Sequence, residues 1–267
     1  MLERTHPEDL GGRRLSLCLQ ERRDPGRLLG SIELRLVRTI PLPRHRLYLF
    51  ETGRCGNFCV RAMNLRLYYL YEKWRAEVRR RRNPFNFRMT PADIRCSHVF
   101  YICPRPVVLV TVEHEAEGNM FPMDLIGPTD SPWFTMALRS TSPAVRLMQQ
   151  SRRMALASIP VSYKAAAYEM GKHHKKANID WNVLPFPTIP SPLFGLRVPE
   201  AALRVREVRV EEFHEIGSHC LFITCIQRET VPGLVSGSES GLQLFHRFSS
   251  YRQYLRQQEE VPGMDVG

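Results

Sequence analysis

Four consecutive residues, Arg139-Ser-Thr-Ser142, follow an apolar stretch and stand directly before Pro143 and the apolar Val145, Leu147 and Met148. Proline is favoured at the first position of a helix, where its missing N–H would have had no partner. The N–H groups of a first helical turn are unsatisfied and carry the positive end of the helix dipole. A guanidinium and a run of hydroxyls at that point make a place where a phosphate or other anion is welcome. The same residues serve equally well as an ordinary helix start capped by Ser142, and local chemistry leaves both readings open.

Other chemical signatures are missing from the sequence. It has no G-x-S-x-G elbow, no Walker loop, no H-E-x-x-H and no paired carboxylate spacing, so a hydrolase or NTPase is poorly supported. The seven cysteines are scattered through apolar context and read as reduced, mostly buried thiols. The nearest pair, in Cys55-Gly-Asn-Phe-Cys59, is spaced too widely for a thioredoxin-type motif, and no second pair completes a zinc site. No metal is expected. Adjacent His173 and His174, inside Gly171-Lys-His-His-Lys-Lys176, read as a solvated basic loop. The formal net charge of +11 points to an anionic partner, whether nucleotide, nucleic acid or acidic surface. Arg79 to Arg82 offer a nucleic-acid contact, but basic residues in a last helical turn also complement the helix dipole. With no recognisable nucleic-acid module, the structural use is favoured over a nucleic-acid partner.

These residues need elements to hold them. Ile32, Leu34 and Leu36 alternate with polar neighbours, and Arg46 to Phe50 reads as a partner strand, giving a hairpin. Val60, Met63, Leu67, Leu70, Tyr71, Trp74 and Val78 recur at helical steps, one face of an amphipathic helix ending at the arginine run. Asn83 to Met89 reads as a connector, and Thr90-Pro-Ala-Asp93 as the start of a short helix ending near His98. Val107 to Val112 is a strand buried on both faces, and Asn119 to Asp124 returns antiparallel to it. Trp133 to Leu138 is the strand leading to Arg139. Beyond the helix, Met154 to Ser158 is a strand and Ala165 to Met170 a helix. Phe186 to Pro199 is loop, and Leu203 to Val210 and His219 to Ile226 are long strands. Pro232 to Gly241 is a tail, and Leu244 to Tyr254 a last short strand or helix. Many antiparallel strands with few helices predict a mainly β fold with helices (α+β), closing into a barrel.

Four segments, in order, carry a family resemblance. Arg105-Pro-Val-Val-Leu-Val-Thr111 and Asn119-Met-Phe-Pro122 come first. Phe134 to Ser142, with the helix and Met154-Ala-Leu-Ala-Ser-Ile-Pro160 after it, is third, and Gly217-Ser-His-Cys-Leu-Phe-Ile223 is last. Together they resemble the flavin reductase-like family, the FMN-binding split β-barrels of Greek-key type. The resemblance covers about Phe85 to Tyr254. It implies a barrel domain over 85–267, preceded by a small α+β N-terminal extension over 1–84.

What the resemblance implies is FMN as cofactor, bound near the interface of a homodimer. Arg139, Ser140, Thr141 and Ser142 would hold the phosphate. Asn119, Met120, Phe121 and Pro122 would line the isoalloxazine and ribityl chain through backbone groups. His219 would stand beside the flavin as the catalytic residue, or else be a hydrogen-bonded histidine at a strand end. The implied activity is a flavin reductase-type oxidoreductase, passing a hydride from NAD(P)H through flavin to an acceptor, the cofactor carrying the redox chemistry. The alternative is a non-catalytic flavin-binding or flavin-sensing protein. It is motivated by Asp124, where many members of the family carry a small hydroxyl residue, and by the appended N-terminal unit. No stretch of about 18 apolar residues is long enough to span a membrane, and the N-terminus lacks a signal-peptide pattern, so a cytoplasmic protein is expected.

Overall fold

The computed structural model describes residues 14–21, 24, 26–41, 46–82, 90–128, 131–231 and 243–246. The expected connector at 83–89, the tail at 232–241 and the end of the last expected element lie outside the described residues. The chain separates into two compact units, with the second spanning Arg105–His246.

The first unit is built on a three-stranded antiparallel sheet of β1 (Arg14–Gln20), β2 (Leu28–Pro41) and β3 (Arg46–Asn57), in that order. In β1, Leu15, Leu17 and Leu19 alternate with exposed neighbours, the period-2 pattern of a sheet with one covered face. Two helices follow, α1 (Ala62–Arg82) and α2 (Pro91–Phe100). The start of α2 is a full capping box: Thr90 Oγ1 accepts from the Asp93 N–H at 3.2 Å, and Asp93 Oδ2 accepts from the Thr90 N–H at 2.7 Å. Helix α2 lies against β2 and β3, so the unit boundary falls at Pro104, after α2 and not before it. The approach is close: a Cβ on Gly30 would come within 2.7 Å of Ile102 and 2.8 Å of Val99. Ile32, Val99 and Ile102 form the centre of this unit's core, with Cys59 and Cys96 beside them.

Helix α1 holds a correction. Its sequence stripe of Met63, Leu67, Leu70, Tyr71 and Trp74 is exposed. The covered face is the opposite one. Leu65 packs on the core cluster, and Tyr68 and Tyr69 meet the His98 ring edge-on at 4.7 and 5.2 Å.

The second unit holds β4 (Arg105–Pro106), β5 (Val108–His114), β6 (Glu117–Met123), β7 (Ile126–Pro128), β8 (Trp133–Arg139), α3 (Pro143–Ser151), β9 (Arg153–Ser158), α4 (Lys164–Glu169), β10 (Thr188–Pro190), β11 (Arg197–Pro199), β12 (Arg204–Ile216), β13 (His219–Thr230) and β14 (Phe245–His246). Seven of these strands form one antiparallel sheet in the order β6-β5-β9-β12-β13-β8-β7. Its two edges, β6 and β7, are separated in the chain only by Asp124 and Leu125. A flat sheet would hold edges six strand spacings apart, about 29 Å, whereas the chain from Met123 to Ile126 reaches at most about 11 Å. The sheet must therefore curl until its edges nearly meet. Connectivity alone makes it a barrel, mainly β with helices, as the resemblance implied.

Both faces of this sheet are covered. One cluster collects Val108, Val110, Phe121, Met136, Met154, Val208 and Phe222 with Leu147 and Met148 of α3. The other collects Leu109, Met120, Ala155, Ala157 and Val205 with Ala167 of α4. That is why β5 is apolar without alternation, and why Met154 to Ser158 of β9, which alternates in sequence, is buried throughout. Strands β12 and β13 run further than their apolar segments, pairing as far as Ile216 with His219 across a turn at Gly217, whose φ of +60° suits glycine.

Candidate functional site

Strand β8 delivers Arg139 to the end of the sheet, in register with His219 on β13. The chain then turns. The Ser140 N–H donates to the Ser218 carbonyl at 3.1 Å, and the Ser142 N–H donates to the Arg139 carbonyl at 2.9 Å. Ser142 takes the N-cap position of α3, with Pro143 at the first helical position. Arg139, Ser140, Ser142 and His219 are thus gathered where β8, β13 and α3 converge, and Thr141 is exposed in the turn between them.

The expectation that Ser142 caps its helix is corrected. Its hydroxyl makes no cap hydrogen bond and donates instead to the His174 carbonyl at 2.8 Å. The first turn of α3 therefore gets no acceptor from its own N-cap side chain. Close by, Ser140 Oγ is buried with no hydrogen-bond partner, as is Asn119 Oδ1. A buried hydroxyl left unpaired next to an uncapped helix start fits an anionic oxygen.

The reading of His173 and His174 as a solvated loop is also corrected. They lie in a 3-10 turn, Met170–Lys175, packed along the edge of β6. His173 Nδ1 bonds the Met120 carbonyl at 2.8 Å, and His174 Nε2 bonds the Pro122 carbonyl at 2.7 Å. A carbonyl only accepts, so the proton sits on Nδ1 of His173 and on Nε2 of His174. Asn119 Nδ2 donates back to the carbonyls of His173 at 3.0 Å and Lys176 at 2.8 Å. Burial pushes the His174 pKa below its ordinary value, outweighing the Pro122 bond and the Asp124 carboxylate, which act upward. Sequence reasoning missed this clamp. Its one signal was two adjacent imidazoles among three lysines, a pattern shared with many exposed loops.

The clamp decides what the expected lining residues present. The side chains of Asn119, Met120 and Phe121 are buried, and the carbonyls of Met120 and Pro122 already have partners. Half-buried Pro122 is the accessible part of the stretch. It forms one wall of an apolar pocket of about 130 Å³ with Met123, Asp124, Ala167, Tyr168 and Gly171. An engineered cavity of about 150 Å³ accepts benzene, so this pocket suits one aromatic ring or the edge of a larger system. Asp124 is among its lining residues.

His219 is half-buried, and its Nδ1 lies 3.0 Å from Ser218 Oγ. Burial lowers its pKa first, and the Arg139 guanidinium adds to the effect, which keeps the ring neutral at neutral pH. Hydrogen bonds and register link His219 to Arg139, Ser140 to Ser218, Ser142 to His174, and His174 to Pro122. The residues singled out in sequence occupy one connected neighbourhood. Lys175 and Lys176, at the end of the 3-10 turn, raise its positive charge, whereas Lys172 pairs with Glu169.

No family model matches the chain, and no curated protein does. Solved structures similar to it are flavin reductases and FMN-binding proteins. An FMN-binding protein from Thermus thermophilus, with bound p-hydroxybenzaldehyde, is 21% identical over 55% of this chain and 84% of its own, with a TM-score of 0.47. An NADH:FAD oxidoreductase from Streptomyces globisporus is 18% identical over 61% of this chain and 98% of its own, with a TM-score of 0.49. The styrene monooxygenase flavin reductase from Pseudomonas putida is 17% identical over 52% and 87%, with a TM-score of 0.44. No helix among the described residues is long and apolar enough to cross a membrane.

Proposed function

We propose that Arg105–His246 is a flavin-binding barrel of the flavin reductase type, taking FMN with its phosphate at the Arg139–Ser142 turn. The observation that carries this reading is the start of α3, where the N-cap hydroxyl is turned away to His174 and the Ser140 hydroxyl is buried without a partner. Arg139 brings the formal charge, and the N–H groups of the first turn bring donors. Pro122 and the pocket beside it offer an apolar wall to one edge of the ring system. Asn119, Met120 and Phe121 act from beneath, holding that wall through the His173–His174 clamp. His219 stays neutral beside Arg139 and can donate or accept a hydrogen bond without adding charge. Bound flavin supplies the redox chemistry, hydride acceptance from NADH or NADPH and delivery of electrons onward. A homodimer sharing the site belongs to the same reading.

FMN titration of the purified chain tests this. Arg139→Ala should weaken FMN binding at least tenfold, the scale of a lost charge-assisted contact, while Arg81→Ala leaves it unchanged. A colourless protein that takes up neither FMN nor FAD overturns the reading, and equal effects of the two variants move the phosphate elsewhere.

One observation favours a second reading. Asp124 lines the pocket, and a carboxylate there disfavours a reduced, anionic flavin, as expected of a protein that binds flavin without turnover. Oxidation of NADH or NADPH at an enzymatic rate with added FMN rules this out.

A further inference from the structure

We propose that the outward face of α1 is a docking seam for an acidic amphipathic helix of another protein. Met63, Leu67, Leu70 and Trp74 recur at steps of four, three and four, the a/d spacing of a helix that packs along a second helix. They are 65%, 62%, 65% and 63% exposed, with Tyr71 beside them at 50%. The face that holds α1 to its own unit is the opposite one, with Leu65 on the core and Tyr68 and Tyr69 against His98. Among the described residues the stripe takes no part in holding α1 to its unit, and monomeric proteins seldom leave so contiguous an apolar patch uncovered.

Charge selects the occupant. Helix α1 carries seven basic side chains against two carboxylates, a net charge of +5. At 100° per residue, Arg66 and Lys73 border the seam on one side, beside a Glu77 already paired with Arg80 and Arg81, and Arg75, paired with Glu72, borders it on the other. A second copy of this chain does not fit. A parallel pair would set the two Arg79–Arg82 runs side by side, and an antiparallel pair would oppose Arg66 and Lys73 across the seam. A lipid surface fits less well than a helix, because the apolar stripe spans only about 100°, the width of a helix–helix seam. An acidic helix with apolar a and d positions satisfies both apolar seam and basic border, and its charge speeds encounter.

The test uses the full chain and a labelled synthetic peptide of about four heptads, with leucine at a and d and glutamate at e and g. Saturable binding by fluorescence anisotropy is expected. It should weaken at least tenfold in Leu67→Asp/Leu70→Asp and in Trp74→Ala, and fall as salt rises. Both variants change exposed positions, and circular dichroism checks that they remain folded. Binding that survives the substitutions, or equal binding of the same peptide with lysine for glutamate, overturns the proposal. So does an absence of peptide binding while the chain pellets with phosphatidylcholine vesicles containing phosphatidylserine, which assigns the face to a lipid surface. A dimer that the substitutions dissociate assigns it to a second copy.

Discussion

Helix α1 turns Leu67 and Trp74 outward at 62% and 63% exposure, while α3, less than half as long, hides Leu147 and Met148 completely. Both helices carry apolar residues at helical spacing. The difference lies in what surrounds them. Helix α3 sits against β5, β6, β9 and β12 of a curled sheet, so its apolar side has strands to meet. Helix α1 rests on α2 through a tyrosine face, and its apolar stripe points away. Apolar periodicity thus reports that a face is to be covered without saying by which molecule. Polar groups divide the same way. In the barrel, Ser142, His173, His174 and Asn119 bond to backbone carbonyls. On α1, Glu77 pairs with Arg80 and Arg81 of the same helix, and those partners hold its carboxyl down at about 2.

The sharpest way to break the comparison is truncation. Leu147→Ala should destabilise the barrel by about 2–5 kcal/mol through lost burial and a residual cavity. Leu67→Ala should stay within about 0.5 kcal/mol of the parent, as an exposed substitution does. Urea denaturation read separately for each unit checks both, and equal losses would mean that the α1 stripe is covered within the chain.

A smaller effect concerns Glu207, a buried carboxyl on β12. It accepts from Ser191 Oγ at 2.6 Å, the Leu193 N–H at 2.9 Å and the Phe194 N–H at 2.6 Å. Glu207→Gln replaces one acceptor oxygen by a donor and should cost about 1–3 kcal/mol. Hydrogen exchange should quicken at Leu193 and Phe194 more than in β12, and unchanged exchange there would show that the carboxyl does not hold this loop.

The smallest effect is on pH dependence. Burial lowers the pKa of His98 in the first unit and of His174 and His219 in the barrel below the ordinary 6.5. Between the folded value and 6.5 the unfolded chain binds the proton that the folded one refuses, so stability rises with pH there. It is complete above 6.5 and falls as the solution is acidified below it. His98→Gln should flatten that fall for the first unit alone and His174→Asn for the barrel alone, by denaturation at several pH values. Crossed effects would mean that the units do not unfold independently.

Much of the fold was legible in the chain. The strand at Val107 to Val112, its return through Asn119, the turn at Arg139 to Ser142 and the Thr90 helix start all depend on neighbours within a few residues. Backbone hydrogen bonding, proline geometry and side-chain period act over that range. The candidate site was legible only in outline. Arg139 to Ser142 stood out by type and His219 through the resemblance, whereas the 3-10 turn that takes the Ser142 hydroxyl was marked only by two adjacent imidazoles among lysines.

The sequence by itself determined most of the elements and their order, although β10 and β11 stand where it reads as loop. The two-residue link between β6 and β7 obliges the sheet to curl only once the strand order is known. Only the tertiary structure decided which apolar face is covered and which polar atoms meet. His174 reaches Pro122 across 52 positions, and Ser142 reaches His174 across 32. Such partners are chosen by packing, because a buried polar group must find whatever the fold brings within about 3 Å.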